Sequence, residues 1–196
     1  MIIASNMLKK QLSNYSNKGN KIHRCIKEGK LFKIKNGLYE TDANTPGYLL
    51  AGSIYGPSYL SFDYALSYYG LIPERAFNYT SATYDKKKNK KYVTQFGTFV
   101  YRDVPKNVYP LGINLIEEEN YSYQIATKEK ALCDKLYTLK PLKNQSELEN
   151  MLFKDLRIDE DEFKKLDSHS IKILADLYHS KNVSLLSKYI RRWKNE

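Results

Sequence analysis

The chain has 196 residues, of which 42% are hydrophobic and 28% charged, and carries a formal net charge of +10. That length holds one medium domain or two small ones. No apolar run approaches the ~18 residues of a membrane-spanning helix, and the opening MIIASNMLKK lacks the basic-then-apolar order of a secretory signal, so a cytoplasmic protein with no membrane partner is expected.

The charge is unevenly spread. Residues 1–41 hold nine Lys/Arg against two Asp/Glu, residues 42–102 hold seven against four, and residues 103–196 hold sixteen of each. An AT-rich genome also produces many Lys, Asn, Ile and Tyr codons, so lysine position carries an argument that lysine number does not.

Leu8, Leu12 and Tyr15 stand at i, i+4 and i+7 and predict a first helix over residues 5–15. After Ser16–Gly19 a second helix is predicted, with Asn20 as N-cap and Gly29 as stop. At 100° per residue, Ile22, Cys25, Ile26 and Gly29 fall on one side, and His23, Arg24 and Lys27 on the other. Lys21 and Glu28 lie on the flank. A hairpin follows at once. Phe32 and Ile34 alternate with Lys33 and Lys35, Asn36-Gly37 marks a type I′ turn, and Leu38 and Tyr39 begin the return strand. Lys33 and Lys35 are expected on one face of the first strand. A basic amphipathic helix running into a hairpin is the back half of a winged helix. The plainer alternative is a solvated basic helix beside an ordinary hairpin.

Thr45-Pro46 reads as an N-cap followed by Pro at the first helical position, opening a helix over residues 47–55 that Gly56-Pro57 closes. A further helix is capped by Ser61, has Asp63 in its first turn, buries Phe62, Ala65, Leu66 and Tyr69, and ends at Gly70. Residues 77–84 and 92–101 read as the strands of a hairpin whose tip carries Lys86, Lys87, Lys88, Lys90 and Lys91. That tip is either a solvated loop guarding a sheet edge or a second phosphate contact. Residues 123–125 read as a strand, and Thr127 caps a helix over residues 128–139 built on Ala131, Leu132, Leu136 and Leu139. A linker at 140–146 leads to helices near 147–154, 159–166, 168–179 and 183–193. The acidic run Asp159–Glu162 suits a helix start, and Arg191 and Arg192 suit a helix end.

Cys25 and Cys133 fall on separate predicted helices and read as reduced thiols. Three scattered histidines and the absence of Cys-x-x-Cys give no metal site. No phosphate-cradling Gly loop, G-x-S-x-G or paired His with a carboxylate is visible. Neither an enzyme nor a cofactor is expected.

Residues 57–74, PSYLSFDYALSYYGLIPE, resemble the most recognisable segment of the AbiEi family, the antitoxins of type IV toxin–antitoxin (abortive infection) systems of phage defence. Three further segments match in the same order. KEGKLFKIKNGLY at 27–39 resembles the family's wing, residues 79–101 its lysine-tipped hairpin, and IATKEKALCDKLY at 125–137 its Glu-Lys-Ala-Leu helix. The resemblance implies an α+β protein with a winged helix-turn-helix over residues 1–42 and a mixed α/β antitoxin domain over residues 43–196, with a helical tail from about residue 146. It implies a transcriptional repressor that binds inverted repeats of double-stranded DNA in its own promoter. It also implies a nucleotidyltransferase-like toxin as functional partner, countered without necessary contact.

On this reading Lys21, His23, Arg24 and Lys27 face the major groove, Lys18, Lys30, Lys33 and Lys35 contact phosphates, and Asn20 completes the DNA-binding set. Arg24 is the strongest candidate for base readout, because a guanidinium pairs bidentately with guanine. Two alternatives stand beside it: an antitoxin that grips its toxin directly, with the tyrosine-rich, charge-neutral C-terminal half as the working surface, and a stand-alone winged-helix regulator. An enzyme and an RNA-binding protein are weaker alternatives.

Overall fold

Strand β1 (Ile2–Ala4) opens the chain in the computed structural model, which describes residues 1–194. It is too short to carry an alternation signal and was not expected from the sequence. Helix α1 (Ser5–Gln11) follows and ends a full turn before Tyr15. Helix α2 (Lys18–Lys27) starts earlier than expected. Asn17, not Asn20, is its cap, accepting from the Asn20 N–H at 3.0 Å.

Strands β2 (Phe32–Lys35) and β3 (Leu38–Glu40) form the expected hairpin, and β1 adds to it antiparallel, giving the order β1-β3-β2. Of the Asn36-Gly37 pair only Gly37 has positive φ, +82°. The turn is therefore not type I′, which needs both. The register slips instead between Lys33 and Lys35, leaving Ile34 as the extra residue of a bulge. Ile3, Leu8, Ile22 and Leu31 form the small core of this unit.

Ile34 points elsewhere. It joins the large core of residues 43–194, with Ile2, Phe32 and Leu38 packed against the same core. The hairpin is thus shared between the two halves of the molecule, and β2 lies beside strand β6 (Lys90–Thr94).

Residues 47–50 form a 3₁₀ turn leading into α3 (Ala51–Ile54). Pro46 precedes the turn rather than opening it. Thr45 does not cap it; its hydroxyl is 3.3 Å from the Tyr121 hydroxyl. Gly56-Pro57 is a cis peptide. Strand β4 (Tyr59–Leu60) and helix α4 (Phe62–Tyr68) follow, and Gly70 at φ +71° ends the helical segment as expected. Ser61 stands at the N-cap position but makes no cap bond, because its hydroxyl is used inside the core.

The second sheet has six strands in the order β6-β7-β5-β4-β9-β8, with β5 at Asn78–Thr83, β7 at Gly97–Asp103, β8 at Ile113–Glu118 and β9 at Tyr121–Ala126. The expected hairpin of residues 77–84 with 92–101 is not formed. The second segment is two strands, split by a tight turn at Gln95-Phe96 with Gly97 at φ +122°. Strand β7 inserts between β5 and β6 and pairs with β5 in parallel. The lysine-rich segment is therefore a crossover loop rather than a hairpin tip. The central strand β4 pairs antiparallel with β5 and parallel with β9.

Helix α5 (Lys128–Tyr137) starts at Thr127, which accepts from the Lys130 N–H, and packs against α4, α8 (Ser168–Tyr178) and α9 (Lys181–Trp193). Between α5 and α8 lie α6 (Gln145–Asn150), a π-helical turn at 151–155, and α7 (Glu160–Lys164). Asp159 caps α7 by accepting from the Glu162 N–H at 2.9 Å, as the acidic run suggested. Asn182 at the start of α9 donates to the carbonyls of Leu136 and Lys140 and accepts from the Leu142 N–H, so the chain leaving α5 is fixed to the last helix. Cys25 and Cys133 are both free thiols. Among the described residues no helix is long and apolar enough to cross a membrane.

Helix α5 carries an ion pair at its buried centre, Lys130 Nζ to Asp134 Oδ1 at 3.2 Å, with both side chains inaccessible to solvent. Lys130→Met leaves Asp134 without its cation and is expected to cost about 3–5 kcal/mol in urea unfolding. Lys130→Met with Asp134→Leu is not expected to recover that loss, because the buried Tyr59, Ser61 and Tyr178 hydroxyls then lose their acceptor.

Candidate nucleic-acid interface

Helix α2 is amphipathic because its apolar residues recur at helical spacing, and Ile22 is its buried anchor. The opposite side is open. Asn20, His23, Arg24 and Lys27 are all exposed and span roughly 100° of the helix surface. The structure therefore brings together three of the four residues expected to face the groove, with Asn20 beside them. The fourth, Lys21, is half-buried at the edge, with its ammonium 4.9 Å from the centre of the Tyr15 ring. Lys18 falls between Cys25 and Ile22 on the helical wheel and is half-buried, on the side away from Arg24.

Arg24 is not a free guanidinium. Its Nε donates to Glu28 Oε1 at 2.6 Å, and Lys30 Nζ donates to Glu28 Oε2 at 2.8 Å. One carboxylate thus holds two of the expected contacts. The hydrogen bond from Lys30, then that from Arg24, bring the Glu28 carboxyl down to about 2. The Glu28 pair competes with any other anion for the Arg24 guanidinium, a role that its place on the flank of the helix did not reveal. Lys9 and Lys10 are exposed in the last turn of α1; only the charge count over residues 1–41 pointed to them.

The hairpin contributes one lysine, not two. Lys33 is exposed. Lys35, beyond the bulge, turns inward, and its ammonium donates to the Ile54 carbonyl at the end of α3. The expectation that Lys33 and Lys35 share an outward face fails because the extra residue at Ile34 breaks the alternation.

The lysine loop is ordered by Asp103 on β7. Its carboxylate accepts from the Thr83 hydroxyl and the N–H groups of Lys86 and Lys87, at 2.6–2.7 Å. Lys86 folds back, donating to the Gly56 carbonyl at 3.2 Å and lying over the Tyr55 ring. Lys87, Lys88 and Lys91 are exposed, while Lys90 is half-buried on β6. Because β6 runs beside β2, the loop adjoins the hairpin rather than lying remote from it.

Two outcomes follow from this geometry. A carbon-detected NMR titration of Glu28 is expected to give a midpoint near 2, and Lys30→Ala or Arg24→Ala to move it up toward the ordinary ~4.3 of a free glutamate. The folded value is depressed, so the pair's contribution is present above that ordinary value and is lost as the pH falls toward the folded midpoint. Lys35→Ala is expected to lower stability by about 1–2 kcal/mol through the lost bond to Ile54, without changing the charge on the exposed face of α2. Thermal or urea unfolding measures it.

No protein-family model matches this chain, and no curated protein matches it.

Proposed function

We propose that this chain is a DNA-binding antitoxin of a type IV toxin–antitoxin system, acting as autorepressor of its own operon. The exposed, cation-bearing side of α2, followed at once by a hairpin with an outward lysine, carries the reading. Two helices, the second presenting Asn20, His23, Arg24 and Lys27, suit a helix-turn-helix whose recognition helix enters the major groove. The order β1-β3-β2 behind them suits a winged variant of that motif. The four ordered sequence resemblances to the AbiEi family supply the biological setting: inverted repeats in the promoter, and a nucleotidyltransferase-like toxin whose effect is countered without necessary contact. The protein works in the cytoplasm, needs no cofactor and catalyses no reaction.

In mechanism, DNA approach exchanges Glu28 for a base edge or phosphate at Arg24. Asn20, His23 and Lys27 share the groove-facing side. Lys9, Lys10, Lys30 and Lys33 meet phosphates, with Lys87, Lys88 and Lys91 extending the track beyond the hairpin. Lys35 and Lys86 hold the fold and leave the contact set. Inverted repeats require two copies on the duplex, as a dimer or as two cooperating monomers.

A mobility shift of the purified protein on its own upstream DNA, against a scrambled duplex at about 0.15 M salt, tests this reading. Selective retardation is expected. With about six phosphates neutralised, log K should fall with log salt at a slope near −5. Arg24→Ala is expected to relax sequence preference by roughly 1–3 kcal/mol, and Lys33→Ala to weaken all duplexes alike. A salt slope near zero, or equal retardation of both duplexes, rejects the proposal.

A further inference from the structure

A second feature lies outside the N-terminal unit and is independent of duplex binding. A cavity of about 400 Å³ opens between the 3₁₀ turn at 47–50, helix α4 and strand β5. Four tyrosines and one arginine dominate its lining: Tyr48, Tyr64, Tyr68, Tyr79 and Arg75. Three of the rings form one cluster, with Tyr64 5.4 Å from Tyr79 and 6.4 Å from Tyr48 between centroids. The Tyr48 hydroxyl donates to Glu118 Oε1 at 2.7 Å, and its ring meets Tyr123 edge-on at 5.1 Å. Tyr64 and Tyr68 are one turn apart on α4 and share a side of that helix. Tyr79 stacks on Phe99 at 5.1 Å.

Arg75 is exposed and makes no hydrogen bond or ion pair among the described residues. The neighbouring Glu74 pairs with Arg157 instead, and Glu118 is engaged by Tyr48. A cation at the mouth of an aromatic cavity is thus left without an anion. Two residues on, Phe77 holds its ring in solvent, 93% exposed.

We propose that this cavity is a binding site for a nucleotide with an unstacked base, the base lying against the tyrosine rings and its phosphate on Arg75. Aromatic rings accept any base by stacking, and the planar guanidinium matches phosphate oxygens in pairs. An aliphatic side chain would find few aliphatic partners here, and a cationic ligand would meet Arg75. The exposed Phe77 lines a neighbouring cavity that Arg75 also borders, and suits the adjacent base of a single strand that runs past Arg75. The ligand is a free nucleotide or one residue of a single-stranded nucleic acid. The chemistry is the same, and the two sources are separated by experiment.

Equilibrium dialysis of the full chain with AMP, adenosine and a five-residue oligoadenylate decides the matter. Saturable AMP binding with a Kd of about 10 µM to 1 mM is expected for a ligand of this size. Arg75→Ala should weaken AMP about 10-fold or more, and Tyr68→Ala roughly 10- to 100-fold. Adenosine should bind more weakly than AMP to the unaltered chain and equally to Arg75→Ala, since the phosphate then has no partner. An oligonucleotide bound more than about 10-fold tighter than AMP, and weakened by Phe77→Ala, identifies a single strand as the source. One bound no tighter identifies the free nucleotide. Arg75 and Phe77 are exposed, so their variants keep the fold, which circular dichroism melting checks, and they carry the test if Tyr68→Ala unfolds. No saturable binding of AMP or oligonucleotide, or binding that Arg75→Ala leaves unchanged, overturns the proposal.

Discussion

The carboxylate of Asp134 is the point on which the large domain is assembled. It is wholly buried, and burying an ionised carboxylate costs several kcal/mol unless its oxygens are fully used. Here they are. Oδ1 accepts from Lys130 and the Tyr178 hydroxyl, and Oδ2 from the Tyr59 hydroxyl at 3.0 Å and the Ser61 hydroxyl at 2.6 Å. These donors come from α5 itself, from α8, from β4 and from the residue before α4. One side chain therefore ties the helical layer to the centre of the sheet. Burial raises both tyrosines well above their ordinary range, so they remain protonated and able to donate. The same burial lowers Lys130, which the opposed charge of Asp134 counters. Lys130 also donates to the Tyr178 hydroxyl at 2.7 Å, closing the network.

That rigid body carries the N-terminal unit. The unit's own core holds only four buried residues, too few to fix its orientation by hydrophobic burial alone. The bulge at Ile34 supplies the missing restraint by directing one apolar side chain into the large core and the next residue's ammonium to the end of α3. Under the proposed function, the hairpin is a joint as well as a wing. One side sits on the domain, and the other keeps Lys33 for the nucleic acid.

The sequence was legible where the signal is local. The exposed side of α2, the capped helix after Thr127 and the acidic start of α7 follow from spacing and capping chemistry, and the structure has them. Partnership is different. Alternation marks residues 77–84 and 92–101 as strands, but it does not say which strand pairs with which; the insertion of β7 beside β5 depends on contacts across the sheet. Strands β1 and β4 are too short for any period to emerge. In β8 the two consecutive exposed residues Asn114 and Leu115 break the in–out alternation, and this hides the strand. Ser61 looked like a cap because a serine before a helix usually is one, and only the position of Asp134 shows why it is not. Glu28 was visible as a residue and invisible as a competitor for Arg24, since pairing at i, i+4 with a second partner at Lys30 depends on side-chain geometry.

Strand β4 has a consequence for the order in which the molecule comes into being. It is two residues long and stands at the middle of the sheet, with Leu60 opposite Ser81 on one side and Ile125 on the other. The half from β4 to β6 is complete in sequence by Asp103, but the other side of β4 stays unpaired until β9 has been synthesised, and Asp134 arrives later still. Pairing of such distant segments is slow, because loop closure precedes any reward. Residues 2–40, by contrast, contain every strand of their own sheet. On the ribosome the small unit can form first and wait, its bulged strand exposing Ile34 until the surface that receives it has been made.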